Sequence, residues 1–164
     1  MRVLFVRHPK AVPHGTPGVA EDDRPLTEEG EAAFRQAAAG IVLLVDRPEA
    51  LFASPLPRAW RTAEILAEAW GKVRPREAPP LAGGSFVDVA ELLEGFDADA
   101  TVVLVGHEPH LSGVLARFLA AEGGEHLPFR KGGAGLVELR GAPSQGGSLV
   151  WFMPPKVLKR LGRD

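Results

Sequence analysis

Short, almost wholly apolar runs, each the length of one strand, alternate along this chain with segments whose apolar residues recur at helical spacing. The clearest run is TVVLVGH (101–107), and RVLFV (2–6) and ALFAS (50–54) have the same character. A strand that is apolar along its whole length is covered on both faces, as in parallel sheets between two helical layers. We therefore predict an α/β fold, a three-layer αβα sandwich around a mostly parallel mixed sheet.

Two helices are predicted next to these strands. Thr27 is a suitable N-cap for a helix that runs to about Leu44, because two glutamates follow it at the positive end. Residues 55–70 carry an apolar stripe at helical spacing, with Ser54 as the predicted cap and Pro55 at the first position. Further patterns predict an edge strand at residues 72–78 and two helices at residues 85–96 and 109–122. A late hairpin is predicted at residues 134–153, and a solvated terminal turn at residues 154–164.

Composition narrows the class of protein. The 164 residues are 45% hydrophobic and 24% charged, as in globular proteins, and we expect one domain over residues 1–164. A net charge of -2 argues against general nucleic-acid binding, and the lack of cysteine excludes disulfides, thiolate catalysis and cysteine-ligated zinc. The first apolar run is too short for a signal peptide, and none reaches the roughly 18 residues of a membrane span. We expect a cytoplasmic protein without membrane contact.

Polar residues of related character follow three of the predicted strands. Arg7 and His8 follow the first, Ser54 and then Arg58 follow the second, and His107 follows the third. Because ligands of parallel α/β sheets lie beyond the carboxyl ends of the strands, we expect these side chains to converge on one rim. Guanidinium groups bind phosphate oxygens, and a neutral imidazole is a nucleophile toward phosphorus. The set therefore predicts a site for a phosphoryl group.

The motifs RHPK, SPLPRAWRTAEIL and VGHEPHLSG resemble those of the histidine phosphatase superfamily, also called phosphoglycerate-mutase-like. The resemblance covers four segments, residues 2–8, 24–30, 51–66 and 101–113. It implies a phosphoglycerate-mutase-like fold and a phosphatase that needs no metal or organic cofactor. It also implies that His8 accepts the phosphoryl group as nucleophile, and that Arg7, Arg58 and His107 complete the phosphate pocket.

The small size and the segments DRPLTEEG (23–30) and WFMPPKVL (151–158) further resemble the short bacterial phosphohistidine phosphatases. This resemblance implies a phosphorylated protein, a histidine phosphotransfer domain, as the substrate. A small-molecule phosphomonoesterase or mutase on the same scaffold is one alternative. A non-catalytic phosphate-sensing module is another.

The sequence departs from the family pattern at two places. Pro9 stands where the family commonly has Gly or Ala; its carbonyl could fix the tautomer of His8, and its ring biases His8 toward an extended backbone. Many relatives that cleave phosphate esters carry a glutamate after the second helix as general acid. The segment PPLAGG (79–84) has no acid, which leaves three candidates: Glu77, Asp88 and Glu108. A phosphohistidine substrate needs no such acid, because a protonated imidazole leaves readily.

Two further patterns have competing interpretations. Lys131 either belongs to a solubilising loop or lines the mouth of the pocket and attracts the anionic substrate; with Ser54 it is a candidate for substrate binding. The two histidines of HEPH (107–110) are three residues apart, whereas the helix of a zinc protease places its histidines four apart. Pro109 also lies between them. We therefore predict no metal.

Overall fold

The computed structural model describes residues 1–163. Six strands and five α-helices lie within that range, in the chain order β1 (Arg2–Arg7), α1 (Glu28–Leu44), β2 (Ala50–Ala53), α2 (Pro57–Trp70), β3 (Pro75–Glu77), α3 (Phe86–Glu91), β4 (Thr101–Gly106), α4 (His110–Phe118), β5 (Ala134–Leu139), β6 (Gly147–Met153) and α5 (Pro155–Leu161). The strand order across the sheet is β3-β2-β4-β1-β5-β6. The first four strands are parallel, and β5 and β6 pair antiparallel as the predicted hairpin. The mixed α/β sandwich predicted from the sequence is confirmed.

The sheet separates two hydrophobic cores, and β1 contributes to both. Val3 and Phe5 pack with α3 and α4, whereas Leu4 and Val6 pack with α1, α2 and α5. Successive residues of a strand face opposite sides of the sheet, so a strand between two helical layers is apolar at every position. Among residues 1–163, no helix is both long and apolar enough to cross a bilayer.

The first helix begins and ends where the sequence predicts. Thr27 is its N-cap, and its hydroxyl accepts a hydrogen bond from the Gly30 amide at 2.9 Å. That bond pairs one of the amides that a helix N-terminus otherwise leaves free. The helix ends at Leu44.

The predicted start of the second helix is wrong by two residues. α2 begins at Pro57 with Leu56 as N-cap, and no side chain caps it. The Ser54 hydroxyl lies 2.8 Å from Nε2 of His107 and accepts the Leu56 amide at 3.3 Å. Proline is favoured at the first position of a helix, and the sequence has two candidates, Pro55 and Pro57. The helix begins at Pro57.

Helices α3 and α4 are shorter than predicted. α3 ends at Glu91 because the following turns use i to i+3 hydrogen bonds and the backbone leaves through Gly95 at φ 83°. α4 ends at Phe118, before the predicted end at residue 122, because Ala120 takes a left-handed conformation with φ 54°. The Ala121 amide then reaches the Ala116 carbonyl at 2.8 Å, a Schellman ending.

The basic C-terminal segment is a helix, where a solvated turn was predicted. α5 packs on α1 through Leu158, which is fully buried. The two helices approach closely at Gly40, where an added Cβ would lie 2.0 Å from the Leu158 carbonyl oxygen. The sequence pattern concealed this contact because a single buried leucine stands among charged residues.

Candidate active site

The carboxyl ends of three adjacent parallel strands meet at one edge of the sheet. Val105 of β4 is the register partner of Ala53 in β2 and of Val6 in β1. The residues just beyond these positions are therefore level with one another, as expected for a ligand site at strand ends. The convergence predicted from the sequence arises from this register.

His8 is buried, 6% exposed, and its ring orientation is fixed by Pro9. The Nδ1 atom lies 2.7 Å from the Pro9 carbonyl oxygen. A carbonyl only accepts, so Nδ1 carries the proton and Nε2 keeps its lone pair. Burial, followed by the positive charges of Arg58 and Arg7, lowers the pKa of His8 to about 4, although the bond to Pro9 acts in the opposite direction. At neutral pH the ring is an uncharged imidazole with Nε2 available for attack.

His107 lies beside the nucleophile candidate, with the two ring centroids 5.1 Å apart. Its Nε2 is 2.8 Å from the Ser54 hydroxyl. Within residues 1–163, that hydroxyl has no other acceptor for its proton, so it donates to Nε2 and leaves the ring proton on Nδ1. Burial and the neighbouring His8 lower the pKa of His107 to about 3. This second imidazole is therefore a neutral hydrogen-bond donor.

Arg7 and Arg58 supply the positive charge of the site. One Nη of Arg7 donates to the Phe129 carbonyl at 2.6 Å, and one Nη of Arg58 donates to the Glu21 carbonyl at 3.1 Å. Burial lowers the pKa of both guanidinium groups, but arginine remains charged in proteins. Each side chain is thus held in place by a backbone oxygen and keeps further N–H groups for a ligand.

Arg7, His8, Arg58 and His107 line one cavity of about 140 Å³. Three buried atoms on these residues lack a hydrogen-bond partner within the described part of the chain: Nε of Arg7, Nε of Arg58 and Nδ1 of His107. Buried donors are nearly always paired in proteins, so unpaired donors on one cluster indicate an acceptor-rich ligand. A tetrahedral oxyanion has the acceptors and the charge that this cluster requires.

Comparison with known proteins agrees with this arrangement. The sequence profile of the histidine phosphatase superfamily (branch 1) matches residues 3–92. The chain belongs to this superfamily. The family and the phosphatase class predicted from the sequence are confirmed. An uncharacterized protein of Picosynechococcus sp. is 38% identical to this histidine phosphatase over 144 residues, 85% of each chain.

Solved structures share the fold. The protein histidine phosphatase SixA complexed with tungstate superposes with a TM-score of 0.81 at 24% identity, over 96% of this chain and 99% of that one. A mycobacterial glucosyl-3-phosphoglycerate phosphatase superposes with a TM-score of 0.68 at 20% identity, over 93% and 98% of the two chains. The phosphoglycerate-mutase-like architecture is therefore confirmed, and proteins of this fold include a protein histidine phosphatase and a glucosyl-3-phosphoglycerate phosphatase.

The remaining predicted residues of this histidine phosphatase lie at different depths. Ser54 is fully buried and contacts His107 rather than the cavity, so it orients an imidazole instead of touching a ligand. Lys131 is exposed and lines the cavity, as one of its two predicted interpretations requires. His110 donates from Nε2 to the Gly84 carbonyl at 2.7 Å.

The three acid candidates have separate surroundings. Glu108 lines the cavity, but its oxygens accept from the amide and hydroxyl of Ser112 at 2.9 and 2.8 Å. Asp88 forms a capping box with Ser85, whose hydrogen bonds lower the pKa of Asp88. Glu77 lies at the end of the edge strand β3, exposed to solvent. The structure does not bring Asp88 or Glu77 to the cavity.

Sequence analysis missed a group in the loop before α1. Arg24 is 8% exposed and lines the cavity together with Glu21 and His14. Its guanidinium donates to both oxygens of Glu21, at 2.9 and 2.7 Å, and Nη2 of Arg58 lies 3.9 Å from the same carboxylate. The available signal was an arginine inside the segment DRPLTEEG. Its burial depends on how the loop folds back, which local pattern does not specify.

Proposed function

We propose that this histidine phosphatase hydrolyses phosphohistidine on a protein, a histidine phosphotransfer domain, with His8 as the nucleophile. The observation that supports the proposal best is the state of the His8 ring. Its proton is held on Nδ1 by Pro9, the ring is neutral at pH 7, and it lines a cavity that also holds Arg7 and Arg58. The active unit would be a single domain over residues 1–164, in the cytoplasm.

In the first step the phosphoryl group moves from the substrate to His8. Nε2 attacks phosphorus while the bond between phosphorus and the substrate imidazole nitrogen breaks. Arg7 and Arg58 bind the phosphoryl oxygens, and Nδ1–H of His107 donates to the same group as its charge redistributes. The substrate imidazole leaves neutral, because its other ring nitrogen already carries a proton.

In the second step the oxygen of a water molecule bonds to phosphorus while the bond between phosphorus and Nε2 of His8 breaks. The product leaves as dihydrogen phosphate, which carries both protons of the water and releases one of them to solvent. Nδ1 of His8 keeps its proton throughout, because its N–H donates a hydrogen bond to the Pro9 carbonyl, 2.7 Å away in the resting protein. The enzyme therefore returns to the tautomer from which it started.

The surroundings of the carboxylates favour phosphohistidine over a phosphate ester. Cleavage of an ester requires an acid that protonates the departing alkoxide. Glu108 accepts two hydrogen bonds from Ser112, and the bonds from Arg24 lower the pKa of Glu21, which disfavours its protonated form. Among the residues described, neither cavity carboxylate is placed to carry that proton. A small phosphorylated molecule remains the second candidate substrate.

The nucleophile is tested by trapping the covalent intermediate. Incubation with labelled phosphoramidate should yield protein label that is acid-labile and base-stable, as expected for phosphohistidine. His8→Ala should abolish the label and lower turnover by about three orders of magnitude or more, since a covalent route is lost. His126→Ala removes an exposed histidine and should retain both label and activity.

The outcomes separate the candidate functions. Higher kcat/KM on a phosphohistidine peptide than on sugar phosphates supports the proposal, and the reverse order by orders of magnitude would identify a phosphomonoesterase. Neither label nor turnover with any donor would indicate a phosphate-sensing module.

A further inference from the structure

We call the cavity lined by Arg7, His8, Arg58 and His107 the phosphate cavity. A second cavity, of about 180 Å³, opens beside it, and Lys131 lines both. Its walls include Ala33, Phe34 and Ala37 of α1 and Pro155 of α5. Phe34 and Ala37 are buried in the core, so this floor is fixed by packing. An apolar cavity of about 150 Å³ can hold a benzene molecule. The second cavity therefore has room for one apolar side chain such as leucine.

Three lysines, Lys10, Lys131 and Lys159, surround this apolar floor. Lys10 is paired with the Glu29 carboxylate at 2.6 Å. Lys131 and Lys159 have no acidic partner among residues 1–163. The whole chain has a net charge of -2, so this positive rim is opposite in sign to the molecule that carries it. Unpaired cations around an apolar floor complement carboxylates that flank an apolar side chain.

The basic C-terminal helix is what brings Lys159 to this position. Leu158 is buried against α1, and the close approach of α5 at Gly40 fixes the helix on the surface of the sandwich. Lys159 is partly buried at the cavity, whereas Arg160 is exposed and does not line it. Of the basic side chains of this helix, Lys159 is thus the one that lines the second cavity.

We propose that this second cavity is a docking pocket for the segment of the phosphorylated protein next to its phosphohistidine. The inference rests on the proposed function. An apolar side chain of that segment occupies the floor, and its carboxylates pair with Lys131 and Lys159. Since Lys131 also lines the phosphate cavity, a bound segment places its neighbouring phosphohistidine at His8. The pocket selects substrates with acidic and apolar flanks.

The test compares two phosphohistidine peptides with phosphoramidate, which is too small to reach the docking pocket. One peptide carries leucine and three aspartates around the phosphohistidine, and the other has lysines in place of the aspartates. Wild type should prefer the acidic peptide. Lys159→Glu should lower kcat/KM for the acidic peptide about tenfold, from a lost surface attraction and an added repulsion, and leave phosphoramidate turnover unchanged. The matched charge change Arg160→Glu should leave both activities intact.

The apolar floor is tested with a substitution that fills it. Ala33→Met should weaken binding of the unphosphorylated acidic peptide, measured by fluorescence anisotropy. Ala32→Met, at an exposed position of the same helix, should not weaken it. Peptide binding is read without catalysis, so it distinguishes docking from phosphoryl transfer.

Three outcomes would overturn the docking pocket. One is equal kcat/KM of wild type for the two peptides, and another is an equal effect of Lys159→Glu and Arg160→Glu. The third is binding to phosphatidylserine vesicles without binding to the acidic peptide, which would assign the rim to a membrane surface. If wild type turns over neither phosphoramidate nor either peptide, the proposed function fails, and the docking proposal fails with it.

Discussion

Arg24 connects the phosphate cavity to the loop before α1, which lines part of that cavity. Its guanidinium holds the Glu21 carboxylate, and the Glu21 backbone carbonyl in turn accepts from Arg58. Its positive charge also acts to lower the pKa values of His8 and His107. We therefore interpret Arg24 as a positioning residue. It holds the loop before α1 in place and adds positive charge to the site.

Replacement of this residue should affect both ligand binding and histidine ionisation. Arg24→Ala should weaken inhibition by inorganic phosphate about tenfold or more, because a charge-assisted hydrogen-bond network is lost. It should also raise the pKa of His8 above about 4, since a nearby positive charge disappears. NMR titration of the ring measures the second effect. An unchanged His8 titration in Arg24→Ala, with the exposed Arg74→Ala as control, would contradict this role.

At the scale of the elements, the fit of α5 on α1 depends on a residue without a side chain. Gly40 lies within a helix, where glycine is usually unfavourable by about 1 kcal/mol relative to alanine. Here the cost is offset by close contact, because an added Cβ would lie 2.0 Å from a backbone carbonyl of α5. A Cβ added at Gly113 of α4, by contrast, would have no atom within 4 Å.

The two glycines should respond to the same substitution with opposite signs. Gly40→Ala should lower the free energy of unfolding by about 2 kcal/mol, since the backbone of α5 must move away. Gly113→Ala should raise it by about 0.5–1 kcal/mol through helix propensity alone. Urea denaturation of both variants provides the comparison. A stabilised Gly40→Ala protein would show that α5 does not pack as described.

Element boundaries show what sequence patterns can and cannot specify. The sequence predicts Thr27 as a cap because the hydrogen bond that its hydroxyl accepts from the Gly30 amide spans only three residues. The end of α4 was missed because Ala120, with no local preference for it, takes the left-handed position that usually belongs to glycine. Ser54 was assigned to a helix cap because its actual partner, His107, is 53 residues away. Local sequence patterns cannot predict contacts between residues that are far apart in the chain.

For the molecule as a whole, two buried neutral histidines make stability depend on pH. The pKa values of His8 and His107 in the folded state are about 4 and about 3, below the ordinary value of 6.5. Between pH 6.5 and 4 the unfolded chain therefore binds protons that the folded chain does not. The free energy of unfolding falls as pH falls through this window, by about 1.4 kcal/mol per pH unit for each histidine.

This dependence should be reduced when one histidine is removed. His107→Gln should lose about 2 kcal/mol less stability than wild type between pH 7 and pH 5, because one proton uptake site is absent from the unfolded chain. Urea denaturation at the two pH values measures the difference, and carboxylate effects are common to both proteins. The same pH dependence in both would mean that His107 is accessible to protons in the folded state.

The order of the chain has a consequence for biosynthesis. The Arg7 side chain is held by the carbonyl of Phe129, and the Gly132 amide donates to the backbone of Arg7 and His8 at 3.2 Å. These anchors emerge from the ribosome more than a hundred residues after the segment that they fix. A nascent polypeptide that stops short of Phe129 therefore lacks the contacts that hold Arg7 and the backbone of His8, so the candidate site can form only after residues 129–132 have left the ribosome.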